Sequence, residues 1–381
     1  MVVLLKKAFI FLFVLSLPLF FPVVASADVV PLQVSAKSAV LMNADDGRIL
    51  FAKEEDERLP MASTTKIMTA LITLETAAVN DKIVTITDKM VRVEGSSMGL
   101  RPGDKLSLRA LAEGMLLVSG NDAANSAAIA IGGSDQAFSV LMNKRAKELN
   151  MTNTHFVTPS GLDDDNHYTT ARDLAILAAA AMRNSEFAQI ASQKVMTVQY
   201  EHPDQTREFK NHNKLLSMYD GCVGVKTGFT KKSGRCLVSC AQRNGIRLIA
   251  VTLNDPDDWR DHQNLLDYGF SRLTGYPIDD SAYAVKIPVV GGTADSVVVH
   301  GCSGSAIAVE SSELSNIKRT VELPSFLYAP VEEGQTVGCV RYTLDSQTLA
   351  TTELVAAGPV TQGKTNKNLF QKFMEWVNNL F

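Results

Sequence analysis

Helical periodicity organises this chain as far as Gly275-Tyr276-Pro277 and largely disappears beyond it, so the sequence has to build two unlike cores. Before the break, apolar residues recur at helical spacing from Ser63 onward, at Ile67, Met68, Ala70, Leu71, Leu74 and Ala77. Further helices are predicted over Ser107 to Val118, Asp122 to Ile131, Ser134 to Leu149, Ala171 to Met182 and about Arg260 to Phe270. Asp45-Asp46-Gly47 between Ala39 to Met42 and Arg48 to Phe51 predicts a hairpin. Val223 to Phe229, Cys236 to Ala241 and Arg247 to Leu253, short and aliphatic with polar turns between them, predict an antiparallel meander. After the break, segments such as Val285 to Val290, Val297 to His300 and Thr336 to Tyr342 alternate with Gly, Ser and Pro turns, which predicts a small β-sandwich over residues 278–360.

Composition sets the class. Of 381 residues, 46% are hydrophobic and 20% charged, and the net charge is −4. A globular protein is expected, and binding of nucleic acid by bulk charge is excluded. Lys6 and Lys7, the apolar run Ala8 to Phe21 and Ala25-Ser26-Ala27 make residues 1–27 a secretory signal peptide, with the mature chain starting at Asp28. An uncleaved anchor is the alternative, although Pro18 and Pro22 interrupt the run. Export makes Cys222, Cys236, Cys240, Cys302 and Cys339 candidates for disulfides, but five is odd and no Cys-x-x-Cys occurs. On one strand, Cys236 and Cys240 would lie on one face about 13 Å apart, too far to bond, and they read as small buried hydrophobes. No His, Cys or carboxylate spacing implies a metal, and no cofactor is expected.

Chemistry is suggested by Ser63-Thr64-Thr65-Lys66, whose spacing puts a hydroxyl and an amine on one face of one helical turn. A lysine held neutral there takes the proton from the serine, and first-turn backbone N–H groups face developing negative charge. Alone the pattern is weak, since about one match is expected by chance in a chain of this length. A second match, Ser315-Asn316-Ile317-Lys318, reads as accidental, and Gly95-Ser96-Ser97-Met98-Gly99 lacks the strand and helix that a nucleophile elbow needs. Ser119-Gly120-Asn121 at a helix end and Lys226-Thr227-Gly228 on the first meander strand lift the first match above chance. Taken singly, Ser119 and Asn121 read equally as helix caps and Lys226 as a strand lysine, while Thr170 reads as the N-cap of the helix from Ala171.

The three motifs in this order resemble the penicillin-recognising serine peptidases, and more closely the D-alanyl-D-alanine carboxypeptidases. Leu59 to Thr69, Leu117 to Ala124, Thr154 to Leu162, His167 to Asp173 and Val225 to Thr230 all look like that family. The resemblance implies an α+β fold, an antiparallel sheet flanked by helices, over residues 28–277. It implies that Ser63 attacks the carbonyl between two terminal D-alanines of a peptidoglycan stem peptide, with Lys66 as general base. Backbone N–H groups of Ser63 and Phe229, the latter following Gly228, would hold the oxyanion. Ser119 and Lys226 would deliver a proton to the leaving D-alanine, Asn121 would bind the peptide backbone, and Thr227 and Arg260 would meet the terminal carboxylate; Arg260 is placed only by its position before the last helix of that domain, and a surface ion pair with Asp257 or Asp258 is its alternative. β-Lactams would acylate the same serine. Two departures stand out: Phe229 replaces a polar residue of some relatives, and His212 stands in Asn211-His-Asn-Lys214 where many have Thr.

Two other readings compete. A class A β-lactamase needs a water-activating Glu, and only Glu148-Leu149-Asn150 offers one, with the wrong spacing. A catalytically silent penicillin-binding wall protein would keep the pocket without turnover. In residues 361–381, Leu369, Phe370, Phe373, Met374, Trp376, Val377, Leu380 and Phe381 share one side of a predicted helix. That segment is too short and too charged to span a bilayer and suits an anionic membrane surface, on the outer face of the cytoplasmic membrane. Packing on its own β domain or on a second copy is the alternative.

Overall fold

The three predicted meander strands form one side of a five-stranded antiparallel sheet. Its order is Ile49–Lys53, Ser38–Asn43, Ile246–Leu253, Gly234–Arg243, Cys222–Thr230. The predicted hairpin supplies the other two strands, with Gly47 at φ +76° in its turn. This computed structural model describes residues 32–304 and 306–363; the predicted signal peptide and the C-terminal helix lie outside them.

Helices cover both faces of the sheet, so its central strands are buried along most of their length. Cys236, Val238 and Cys240 point to one core. On the opposite face Ser239 Oγ lies 2.6 Å from Nδ1 of the buried His262, on the Asp258–Arg272 helix. That helix approaches closely at Gly269, where a Cβ would stand 2.6 Å from Leu248 and 2.9 Å from Leu41. On the other face, ten of the fourteen residues of the Lys66–Val79 helix are buried, so it runs through the middle of the domain. Ala171–Arg183, Leu108–Leu117 and Asn121–Gly132 pack around it. Thr170 caps its helix as predicted, its hydroxyl accepting from Asp173 N at 3.1 Å.

All five cysteines are free. Cys236 and Cys240 are buried, and burial pushes their thiols up to about 11 and about 12. Unpredicted elements include the Ser185–Ala191 helix and the hairpin of Val195–Tyr200 with Gln205–Lys210. Half of the hairpin's strand residues are exposed, and Gln, Glu, Arg and Lys dilute its alternation.

Beyond residue 278 the chain is β-rich, as expected. Hydrogen bonding runs unbroken through six strands in the order Ile317–Glu322, Thr336–Leu344, Gln347–Ala356, Ser296–Gly301, Ala284–Val290, Leu327–Tyr328. Ile287 and Val289 near one end of that order share a core with Val340 and Tyr342 near the other, which requires the sheet to curl around it. The buried Asp280 ties three strands together through Arg319, Tyr342 and Thr352. Leu273–Tyr276 pairs with Ile307–Glu310, and Arg48 bonds both Glu313 and Ala308 O, so the two domains share a ladder and an ion pair. Ser315 is exposed in the 3-10 turn Ser311–Asn316, away from any catalytic partner.

Candidate active site

Ser63 lies in a 3-10 turn, Ala62–Thr65, that leads directly into the Lys66–Val79 helix. The junction keeps Ser63 and Lys66 on one side, with Nζ 3.0 Å from Ser63 Oγ. Lys66 is wholly buried and donates to Ser160 O at 2.6 Å. Burial first, then the Lys226 ammonium, push it well below the ordinary lysine range, against an opposing pull from Asp122. A neutral amine spends one N–H on Ser160 O and leaves its lone pair for the serine proton.

The turn is braced from behind. Ala62 holds a left-handed φ of +47°, a conformation costing about 1–3 kcal/mol that persists only where neighbours fix it. His167 Nδ1 accepts from Val157 N, so Nε2 carries the proton and donates to Thr65 Oγ1 at 2.7 Å; that hydroxyl donates to Ala62 O at 2.8 Å. Burial lowers His167 to about 4, which keeps the relay in its neutral tautomer. Gly161, φ +84°, passes so near that a Cβ would lie 1.9 Å from Ala62 O. The Thr154 to Leu162 segment thus supplies both a partner for Lys66 and a wall for the nucleophile turn.

Ser119, also left-handed at φ +61°, lies between two helices, and Asn121 opens the second of them. Asn121 Nδ2 donates to Glu94 O at 2.6 Å, and Oδ1 is buried with no partner among the described residues, an acceptor free for a ligand N–H. The neighbouring Asp122 accepts from the backbone N–H groups of Met98, Gly99 and Leu100 and from Ser97 Oγ. Through it the segment rejected as a nucleophile elbow becomes part of the site, because Ser96 lines the cavity and its carbonyl accepts from Asn121 N at 2.7 Å.

The third wall is the strand Cys222–Thr230. Lys226 is buried, donates to Thr227 O at 2.9 Å and is lowered by burial to about 7. Gly228 is required by close approach, since a Cβ would be 3.1 Å from Ser63 N and from Met61 O. Ser63, Ser119, Thr227, Gly228 and Phe229 all line one open cavity of about 290 Å³.

Arg260 is not among the lining residues, which corrects the expectation for it. Its guanidinium pairs with Asp257 at 2.6 Å and its side chain is 68% exposed. The buried stripe of its helix runs through Asp258, Asp261, His262, Leu265, Leu266 and Gly269, and position 260 lies about 200° round from 258. The cavity's arginine is Arg235, on the adjacent strand, held 3.0 Å from the buried Asp258 and over the Trp259 ring; all three line the cavity. Sequence reasoning missed it because nothing in the Lys-Thr-Gly pattern marks position 235. The meander register, Phe229 opposite Arg235, is the signal that finds it. His212 also lines the cavity, its imidazole lowered by burial and by Lys226.

With this geometry in view, the similarities to known proteins are decisive. Residues 24–257 match the D-alanyl-D-alanine carboxypeptidase family model. The chain belongs to that family. Residues 276–362 match the model of the penicillin-binding protein 5 C-terminal domain. The chain is 32% identical to D-alanyl-D-alanine carboxypeptidase DacF of Bacillus subtilis, over 84% of this chain and 85% of the relative. It is 32% identical to DacC of Escherichia coli, over 91% of each. The structure of penicillin binding protein 5 from Haemophilus influenzae superposes with a TM-score of 0.66 at 31% identity, covering 88% of this chain and all of the other. As a member of the D-alanyl-D-alanine carboxypeptidase family the chain is a serine hydrolase with a cell-wall role. The glutamate that a β-lactamase would need fits poorly: Glu148 ends the Asp135–Glu148 helix, paired with Arg145 at 3.1 Å.

Proposed function

We propose that this chain removes the terminal D-alanine from peptidoglycan stem peptides, and that Ser63 is the nucleophile. The observation that carries the reading is Ser63 Oγ 3.0 Å from a fully buried lysine, beside a cavity that also presents an arginine. Lys66 takes the hydroxyl proton as Oγ attacks the carbonyl between the two D-alanines. The oxyanion sits against the backbone N–H groups of Ser63 and Phe229. Ser119 and Lys226 return the proton to the departing D-alanine nitrogen, and Asn121 Oδ1 takes the peptide N–H. Water then hydrolyses the ester and restores Ser63. A β-lactam enters the same path and stays as the acyl group. The test is incubation of the purified chain with diacetyl-Lys-D-Ala-D-Ala: free D-alanine is expected, and a folded chain that releases none removes the carboxypeptidase reading and leaves a silent penicillin-binding protein.

Arg235 with Thr227 receives the terminal carboxylate in this reading, in place of Arg260. Losing a charge-assisted hydrogen bond costs about 1.5–3 kcal/mol, so Arg235→Ala should lower kcat/KM roughly ten- to hundredfold. The same variant should stop discriminating between a free-acid and an amidated C-terminus, whereas Arg260→Ala should leave both rates unchanged. The reverse pattern would restore Arg260 to the site.

Residues 28–277 then form the catalytic domain and residues 278–360 the β domain. Residues 1–27 direct export, and residues 361–381 hold the enzyme at the outer face of the cytoplasmic membrane. Support comes from the sequence: an amphipathic stripe with Lys364, Lys367 and Lys372 against Glu375. Among the described residues no helix is long and apolar enough to cross a membrane. Truncation after Gly363 should release active enzyme from membranes into the soluble fraction; a truncated, signal-cleaved chain that stays bound contradicts the tail's role.

A further inference from the structure

The large hydrophobic residues that the β domain leaves exposed gather on one face. They are Val290, Val298, Phe326 and Tyr328, at 50, 40, 45 and 70% exposure. Register puts them on one side of the sheet, with Val298 about 13 Å along it from Val290. Val298 lies opposite Lys286, which shares its strand face with Pro288 and Val290, and Val290 lies beside Tyr328 in the parallel edge pairing. The Phe326 and Tyr328 rings meet edge to face at 5.3 Å. The core does not account for them, because Ile287, Val289, Val297 and Val299 point inward and fill it from the same strands. The solvated face of a sheet is ordinarily polar.

The chain leaves the domain beside this face. Gly363 N donates to Gly291 O at 2.8 Å and Gly292 bridges Gln362, one and two residues after Val290. We propose that this face is a lipid-contacting surface, its aromatic pair and the exposed Lys286 seated in the headgroup region of the bilayer that the tail engages. The proposal rests on the membrane reading of the tail given above. A tether beginning one residue from Val290 brings the patch to the same surface. Exposed Phe and Tyr next to a lysine suit an anionic interface, where rings sit at headgroup level and cations meet lipid charge. A second copy of the chain is a poor occupant: the edge strand has only two residues, and four side chains fall far short of the roughly 800 Å² per partner of a stable interface.

The experiment is hydrogen–deuterium exchange on the full mature chain with and without vesicles of phosphatidylcholine and phosphatidylglycerol, together with vesicle flotation of a Phe326→Ser, Tyr328→Ser double variant. Vesicles should slow exchange around residues 289–292 and 325–329, and the double variant should partition about tenfold more weakly while releasing D-alanine in solution at the native rate. A chain that binds vesicles with these segments unprotected overturns this inference alone. Protection without vesicles that vanishes on truncation after Gly363 assigns the patch to the tail, and protection that grows with protein concentration assigns it to a second copy; either overturns lipid contact. A chain that does not bind vesicles at all overturns the tail reading as well.

Discussion

A chain carrying Ser63→Ala releases no D-alanine and takes no covalent label from a fluorescent penicillin, because the acyl group has lost the oxygen that carries it. The fold should survive, since the hydroxyl faces the cavity and the turn is held by Thr64, Thr65 and Gly161 rather than by Ser63. Replacing Ser315 should change nothing, as its side chain is exposed in the β domain. Labelling that persists in the Ser63 variant at the native rate would remove the nucleophile assignment.

Lys66→Ala should slow acylation by roughly 10² to 10⁴, the range for removal of a general base. Stability should not follow activity. A buried lysine is held neutral at a cost, so Lys66→Met, which fills similar space without the amine, should melt at or above the native temperature while remaining inactive. The pH dependence follows from the two lysines together. Lys66, pushed well below 10.5 by burial and by the Lys226 charge, offers its neutral form far below the ordinary lysine range. Lys226, lowered by burial to about 7, is charged below that pH and loses its proton as pH rises through it. Losing that proton removes what Lys226 and Ser119 return to the departing D-alanine nitrogen, so acylation by peptides should fall on the alkaline side of about 7. Lys226→Arg cannot lose its proton in that range and should flatten this limb in whatever activity remains. A native profile that keeps rising through pH 9, or an arginine variant with the same alkaline fall, contradicts the assignment.

Residues whose neighbours in sequence are also their neighbours in space were legible from the sequence. The Ser63 to Lys66 spacing is a local property of one turn, and the Asp45-Asp46-Gly47 hairpin and the Thr170 cap are equally local. What could not be read depends on register and helix phase. Arg235 reaches the site because it lies opposite Phe229 across a ladder, and Arg260 misses it because two residues of helix turn it away from Asp258. Ser160 holds Lys66 from 94 positions away through a backbone carbonyl, which no side-chain pattern advertises. Ser96 becomes part of the site through Asp122, whose carboxylate gathers three backbone N–H groups of an otherwise irregular loop. The β domain was recognisable by its turns and short strands, but its continuous six-strand hydrogen bonding was not, since strand order is set by pairing between distant segments.

The central claim is that acyl transfer passes through one oxygen, Ser63 Oγ. Its most direct test is peptide mapping by mass spectrometry after the native chain is treated with benzylpenicillin. The ring-opened drug should add its whole mass once, to the peptide containing Ser63, and prior treatment with diacetyl-Lys-D-Ala-D-Ala should slow its appearance. An adduct on any other peptide, or a folded chain with no adduct, would contradict the account.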